Sequence, residues 1–228
     1  MEEIVVTERK EQSAYITYLY NSLAAYLQKK GGRGELLFGG ERAALKIKGA
    51  DDTARAFLRD KIAEIVGIGY KYRFLRERLS VSLGEREKRW LISALIAADY
   101  ESDKAYIKRR LEGSDEYAVD GFYHFRLHAL KEKWQKIADY VPQGFAEDDL
   151  RRFCDFLIGE SDKKIFVRGN AVFGENFVPT RKSRLTGVEE TETEILLSDA
   201  GVVYCLGEVD DSVGDFLQKY YAERAVFS

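Results

Sequence analysis

The stretch that most constrains this chain runs from about Ser114 to Tyr140, S-DEYAVDGFYHFRLHALKEKWQKIADY. It carries a dense aromatic cluster, both histidines and one of the two tryptophans. At about 100° per residue, Val119, Phe122, Tyr123, Leu127, Leu130, Trp134 and Ile137 gather on one side, which predicts a single long amphipathic helix. The rest of the chain is then expected to cover that apolar face. Pro142 and Gly144 stop the helix.

With 228 residues and 45% hydrophobic content, the chain can bury a sizeable core without staples. Cys154 and Cys205 stand far apart with no ligand neighbours at metal spacing, so no disulfide framework or zinc motif is legible. The opening MEEIVVTERK lacks the basic and apolar regions of a secretory signal, and no apolar run nears eighteen residues. These features predict a cytoplasmic protein with no membrane partner. A formal charge of -3 argues against a protein that coats nucleic acid, though a local basic patch stays open.

Along the chain, Glu3 to Thr7 reads as a strand and Lys10 to Lys29 as an amphipathic helix. The glycines of KKGGRGE follow a helix and precede a strand, the reverse of a phosphate-binding loop, and read as a helix cap and turn. Gly34 to Gly40 and Arg42 to Lys48 form a strand pair. Asp51 or Asp52 caps a helix whose stripe, Leu58, Ile62, Ile65, Gly69, Tyr72, Leu75 and Leu79, is continuous despite Gly67. Ser82 and Glu85 match a capping box, and Ser102 is expected to start a separate charged helix ending at Gly113. Asp148 to Ile158 is a further helix with Cys154 inward.

After Gly159 the pattern turns to β. KIFV-RGN-AVF is a hairpin signature, Val172 to Gly187 reads as an irregular loop, and EILL-SDAG-VVYCL reads as a second hairpin. Ser212 caps a last helix, and AVFS can close as an edge strand. Residues 163–184 hold six basic groups against one acidic, and ten acidic against two basic follow from Leu185. That block reads as solvated loops, or as a clamp between the tail and its own chain. The fold class expected is α+β: an N-terminal βαββα layer (1–80), a helical middle (81–160) and a small C-terminal β-rich part with a final helix (161–228), packed as one body.

Three segments, IAEIVGIGYKYRFLRERL (Ile62 to Leu79), EKRWLISALIAADY (Glu87 to Tyr100) and DGFYHFRL (Asp120 to Leu127), carry a family likeness. The chain resembles the YtxC-like sporulation proteins of endospore-forming Firmicutes over about Leu58 to Ile158. The resemblance implies a cytoplasmic protein linked to spore formation, and it brings no chemistry and no site residues with it.

Candidate sites come from the residues themselves. Asp120, His124, His128 and Glu132 recur every four positions, a ladder that could hold a metal. On the helical wheel the imidazoles lie opposite the apolar side, so a solvated ladder is the preferred reading and no metal or cofactor is assigned. Arg126 falls inside the apolar arc and is expected either to make a buried or snorkelling ion pair or, with Phe122 and Tyr123, to line a groove that receives an acidic group. No nucleophile elbow, Rossmann or Walker glycine pattern is present, and Asp51–Asp52 and Asp148–Asp149 stand at helix starts as caps. The chain is expected to be no enzyme and to act by binding another protein. The alternatives are a nucleic-acid binder using Lys71 to Leu79 and Lys108 to Arg110, and an enzyme or metal binder using the His124/His128 face.

Overall fold

A computed structural model describes residues 3–113 and 116–228. In chain order the elements are β1 (Glu3–Arg9), α1 (Ser13–Lys30), β2 (Arg33–Gly39), β3 (Arg42–Lys48), α2 (Asp52–Glu64), a π-helical segment (Ile65–Tyr70) and α3 (Lys71–Arg78). There follow α4 (Glu85–Leu111), β4 (Glu116–Ala118), α5 (Val119–Arg126), α6 (His128–Tyr140), α7 (Glu147–Glu160), β5 (Lys164–Arg168) and β6 (Ala171–Phe173). A 3-10 turn (Lys182–Thr186), α8 (Thr191–Leu197), β7 (Val202–Cys205), α9 (Asp211–Tyr220) and β8 (Ala225–Phe227) complete the chain. The fold is α+β as expected. The three consecutive parts give way to two compact units: 1–70 with 101–133, and 71–100 with 134–228.

The first unit is built on a sheet of order β2-β3-β1-β4. β3 runs antiparallel to both β1 and β2, so β1 and β2 are parallel and α1 is the crossover between them, a split βαβ arrangement. Strict alternation sets which side is inside: Ile4, Val6 and Glu8 of β1 and Ala43, Leu45 and Ile47 of β3 are buried, while their neighbours are at least partly exposed. Tyr15, Ile16, Leu19, Leu23 and Leu27 give α1 its buried stripe, and Gly31 ends it at φ 73°. Asp51 caps α2, accepting the Ala54 N–H at 2.8 Å.

The continuous stripe from Leu58 to Leu79 is confirmed as helical, with one turn wound as π helix over Ile65–Tyr70, all six residues buried. At the end of that wider turn the Tyr70 hydroxyl donates to buried Glu8 Oε2 at 2.6 Å. Its ring packs against Tyr15 and Tyr123, with centroids 5.8 and 4.4 Å away.

Four local expectations are corrected. Ser102 is interior to one 27-residue helix, α4, so it caps nothing. The Ser82 hydroxyl donates to the Gln143 carbonyl at 3.2 Å, and α4 starts after Gly84, whose carbonyl accepts the Lys88 N–H; the capping box does not form. The long rod is divided. Its first two residues, Ser114 and Asp115, lie outside the described residues; Glu116–Ala118 is a strand parallel to β1; and Leu127, at φ -117° and ψ 35°, separates α5 from α6. Leu127 is fully buried, so the apolar stripe continues across a break that the helical wheel cannot register.

The fourth correction concerns EILL. Thr191–Leu197 is a helix, and β7 pairs parallel with β5 and not back on α8. Every residue of α8 is buried, so no polar alternation marks it as helix, and a parallel pair needs a crossover, which α8 supplies.

The second unit carries a sheet of order β6-β5-β7-β8, with β5, β7 and β8 parallel and β6 antiparallel. The expected β5–β6 hairpin and the β8 edge strand are both present. Ile165, Val167, Val172, Val203 and Cys205 form the buried side of that sheet, and Leu150 and Cys154 of α7 and Val213, Phe216 and Leu217 of α9 are buried in the same unit. Gly201, at the entry to β7, runs against the Ser161 carbonyl so closely that a Cβ there would overlap backbone, which explains the glycine. Among the described residues no helix is long and apolar enough to cross a membrane.

Candidate functional site

In the first unit, the end of α4, strand β4 and helix α5 frame a groove of about 280 Å3. Leu111, Tyr117, Ala118 and Phe122 form its walls, and Phe125 and Arg126 stand at its edge. Tyr117 and Phe122 are buried, whereas Phe125 is 82% exposed, an unusual position for an aromatic ring. Arg126 is also exposed. The buried ion pair expected for it is therefore corrected: Arg126 is the last residue of α5, and there its side chain is in solvent.

The end of α5 is held by cations. Arg110 Nη2 donates to the Arg126 carbonyl at 3.2 Å and Lys131 Nζ to the His124 carbonyl at 2.9 Å, satisfying acceptors that a helix end leaves free. Arg126 and Glu116 thus line the groove, and the Arg110 guanidinium is tied to the Arg126 backbone next to it. Of the three residues read as a binding set, Phe122 and Arg126 meet at the groove. Tyr123 does not; its ring packs on Tyr70.

The four-residue ladder is not one helix face either. Asp120 is committed to Arg42 Nη2 at 2.6 Å and to Arg9 Nε at 3.3 Å, and His124 and His128 sit on opposite sides of the break, both exposed. Burial by itself would raise the Asp120 carboxyl; the Arg42 hydrogen bond, the Gly121 N–H and the two nearby guanidiniums outweigh it and hold the group below the usual carboxylate range. Among the described residues no three His, Cys, Asp or Glu side chains cluster as metal ligands would.

Of the basic run offered as a nucleic-acid surface, Lys71 and the apolar residues are interior, whereas Arg76 and Arg78 are exposed. Lys71, Tyr72, Phe74 and Leu75 are buried; Lys71 pairs with Asp99 at 3.6 Å, and Phe74 meets Trp134 edge-on at 5.7 Å. In KRR, Lys108 is paired with Asp60 at 3.0 Å. Cys154 is core: burial first, then Asp155, pushes its thiol up to about 12.

In the second unit the tail folds back on its own chain, which the charge blocks hinted at. A polar cleft of about 610 Å3 lies among the 3-10 turn, α8 and the start of α9. Glu189, Glu190, Glu192 and Glu194 of its lining are already engaged. Arg89 clasps Glu190 at 2.6 and 3.2 Å, Arg86 pairs with buried Glu192, and Arg184 pairs with Glu189 at 3.1 Å. Buried Glu194 accepts the backbone N–H groups of Lys182 and Ser183 at 2.9 and 2.7 Å, fixing as a 3-10 turn what the sequence reads as irregular loop. Besides the charge blocks, the alternating acids of TETE are a sequence signal for this cleft.

No protein-family model, curated protein or solved structure matches the chain.

Proposed function

We propose that this protein works by binding another protein, in the cytoplasm and in connection with spore formation, and that it is not an enzyme. The likeness of DGFYHFRL and its flanking segments to the YtxC-like family supports the setting. The observation that carries the binding reading is the groove beside α5: apolar walls from Leu111, Tyr117 and Phe122, an aromatic ring held out in solvent at Phe125, and the Arg126 guanidinium at its edge with that of Arg110 next to it. Burial of a partner's apolar side chain in such a groove supplies affinity, and the arginines select a carboxylate next to it. The partner segment is therefore an apolar residue flanked by an acidic one.

Affinity capture with crosslinking from sporulating cells tests this reading, with Arg126→Met and Phe125→Ala compared with the unaltered chain. Both positions are exposed, so both variants should unfold at the parent temperature. A partner retained by the parent and lost by both variants is expected. Equal recovery of the same proteins by all three would refute the groove as the binding site.

A further inference from the structure

The side of the second sheet opposite its buried residues carries a row of apolar groups across all four strands. Phe173, Phe166, Tyr204 and Val226 are register partners in the order β6, β5, β7, β8, so they share one face, while Val167, Val172 and Cys205 face the other way and are buried. The rings are stacked. Phe166 lies nearly parallel to Tyr204, with centroids 5.5 Å apart and planes at 24°, and Phe177 lies on Phe166 at 4.4 Å and 23°.

Phe177 comes from the loop after β6 and is 58% exposed, so a flat aromatic face stays open to solvent above the sheet. Its backbone is at φ 56°, a left-handed conformation that a bulky side chain seldom takes. The turn is nonetheless well held: the Phe177 N–H donates to the Gly174 carbonyl and the Val178 N–H to Asn176 Oδ1.

Charge accompanies the rings. Lys164 and Arg168 lie two residues to either side of Phe166 on β5, hence on the same face, about 13 Å apart along the strand. Both are exposed, and among the described residues neither is in a salt bridge. The neighbouring acid is Glu175, whose Oε1 accepts the Lys164 backbone N–H at 3.1 Å. A protein anchor seeks a recess it can fill. Parallel rings with an open π face, bracketed by two unpaired cations, instead match a flat base attached to phosphates.

The geometry points to a binding surface for single-stranded nucleic acid on this sheet face: a base stacks on the exposed ring of Phe177, which Phe166 and Tyr204 back, and Lys164 and Arg168 take the flanking phosphates. Recognition of this kind is tolerant of base sequence, because every base has a π face. It uses a surface separate from the groove beside α5, and the chain's net charge of -3 bears on coating nucleic acid and not on a local site of this size.

The test is fluorescence anisotropy of the full chain with labelled oligo(dT) and oligo(U) of about twelve nucleotides, and with a duplex of the same length, at about 50 mM salt and above. Binding of the single strands in preference to the duplex is expected, with a preference for oligo(U) assigning RNA and comparable binding assigning either strand. Phe177→Ala should weaken binding about tenfold or more. Lys164→Gln with Arg168→Gln should lower the salt slope by about 1.4, the share of two phosphates on a single strand. Phe177→Gly, which relieves the left-handed backbone, should keep the fold and still lose binding. The proposal is overturned by no binding at low salt, by equal or better binding of duplex, or by variants that bind as the parent does. Self-association that Phe177→Ala abolishes, without oligonucleotide binding, would also overturn it and make the face a contact between copies.

Discussion

Replacing Glu194 with glutamine probes the interaction that organises the acidic tail. The carboxylate is 4% exposed and accepts two backbone N–H groups, from Lys182 and Ser183, at 2.9 and 2.7 Å. A glutamine of the same shape keeps one acceptor oxygen and turns an NH2 toward the other N–H, so one charge-assisted bond is lost and two donors confront each other. Each such bond contributes about 1.5–3 kcal/mol, and a buried unsatisfied donor costs about 1–3 kcal/mol, so the variant should lose about 2.5–6 kcal/mol of unfolding free energy. Urea titration followed by tryptophan fluorescence reads this directly, because Trp90 and Trp134 both belong to the unit that holds Glu194. Glu189→Gln is the control. Its partner Arg184 and its own side chain are 44% and 65% exposed, and that exchange should stay within about 0.5 kcal/mol. The Glu194 variant should also be cut faster by trypsin at Arg181, Lys182 and Arg184, since the turn that orders them loses its cap. A change no larger than the control, with trypsin sensitivity unaltered, would refute the view that Glu194 fixes the 3-10 turn.

Two further outcomes follow from buried ionisable groups. Asp120 titrates below its ordinary value of 3.8 in the folded chain, so its contribution is fully present above that pH and is lost as pH falls through the depressed value. Asp120→Asn should therefore flatten the acid limb of a stability-against-pH profile measured by urea unfolding, and an unchanged limb would remove the Arg9 and Arg42 pairs from the account. Cys154, with its thiol pushed up to about 12, and Cys205, raised by burial, should both resist a disulfide reagent at pH 8 until urea unfolds the chain; rapid labelling of the native protein would contradict their placement in the core.

The N-terminal elements are legible because one side of each is wetter: Ile4, Val6 and Leu45 alternate with neighbours at least partly exposed, and Leu19, Leu23 and Leu27 recur at helical spacing. The same contrast is absent from Thr191–Leu197, where every side chain is buried, and its second half, EILL, reads as a strand from sequence. β4 is too short to announce itself, although Glu116, Tyr117, Ala118 and Val119 do alternate in exposure. At Leu127 the difficulty is of another kind. A backbone break at a buried residue leaves the hydrophobic period intact, so the helical wheel puts Arg126 in the apolar arc although it stands in solvent at the end of α5. Phe122 and Arg126 are near in sequence, but the other residues that line the groove with them, Leu111 and Tyr117, come from elements whose proximity depends on the parallel pairing of β4 with β1. The aromatic row was hidden likewise, since Phe166, Phe173 and Tyr204 become neighbours only once the strand register is known.

The pairing of Val5 with Glu116 also bears on how the chain is made. A ribosome releases β1 early and β4 much later, so through the intervening synthesis the β1 edge that β4 will occupy has no strand on it. Closing that sheet needs a long-range contact, and such contacts form slowly and leave strand edges open to wrong partners in the meantime. A chain cut after α3 would keep β1 to β3 and lose the strand that seals them, and it should be the more prone to aggregate.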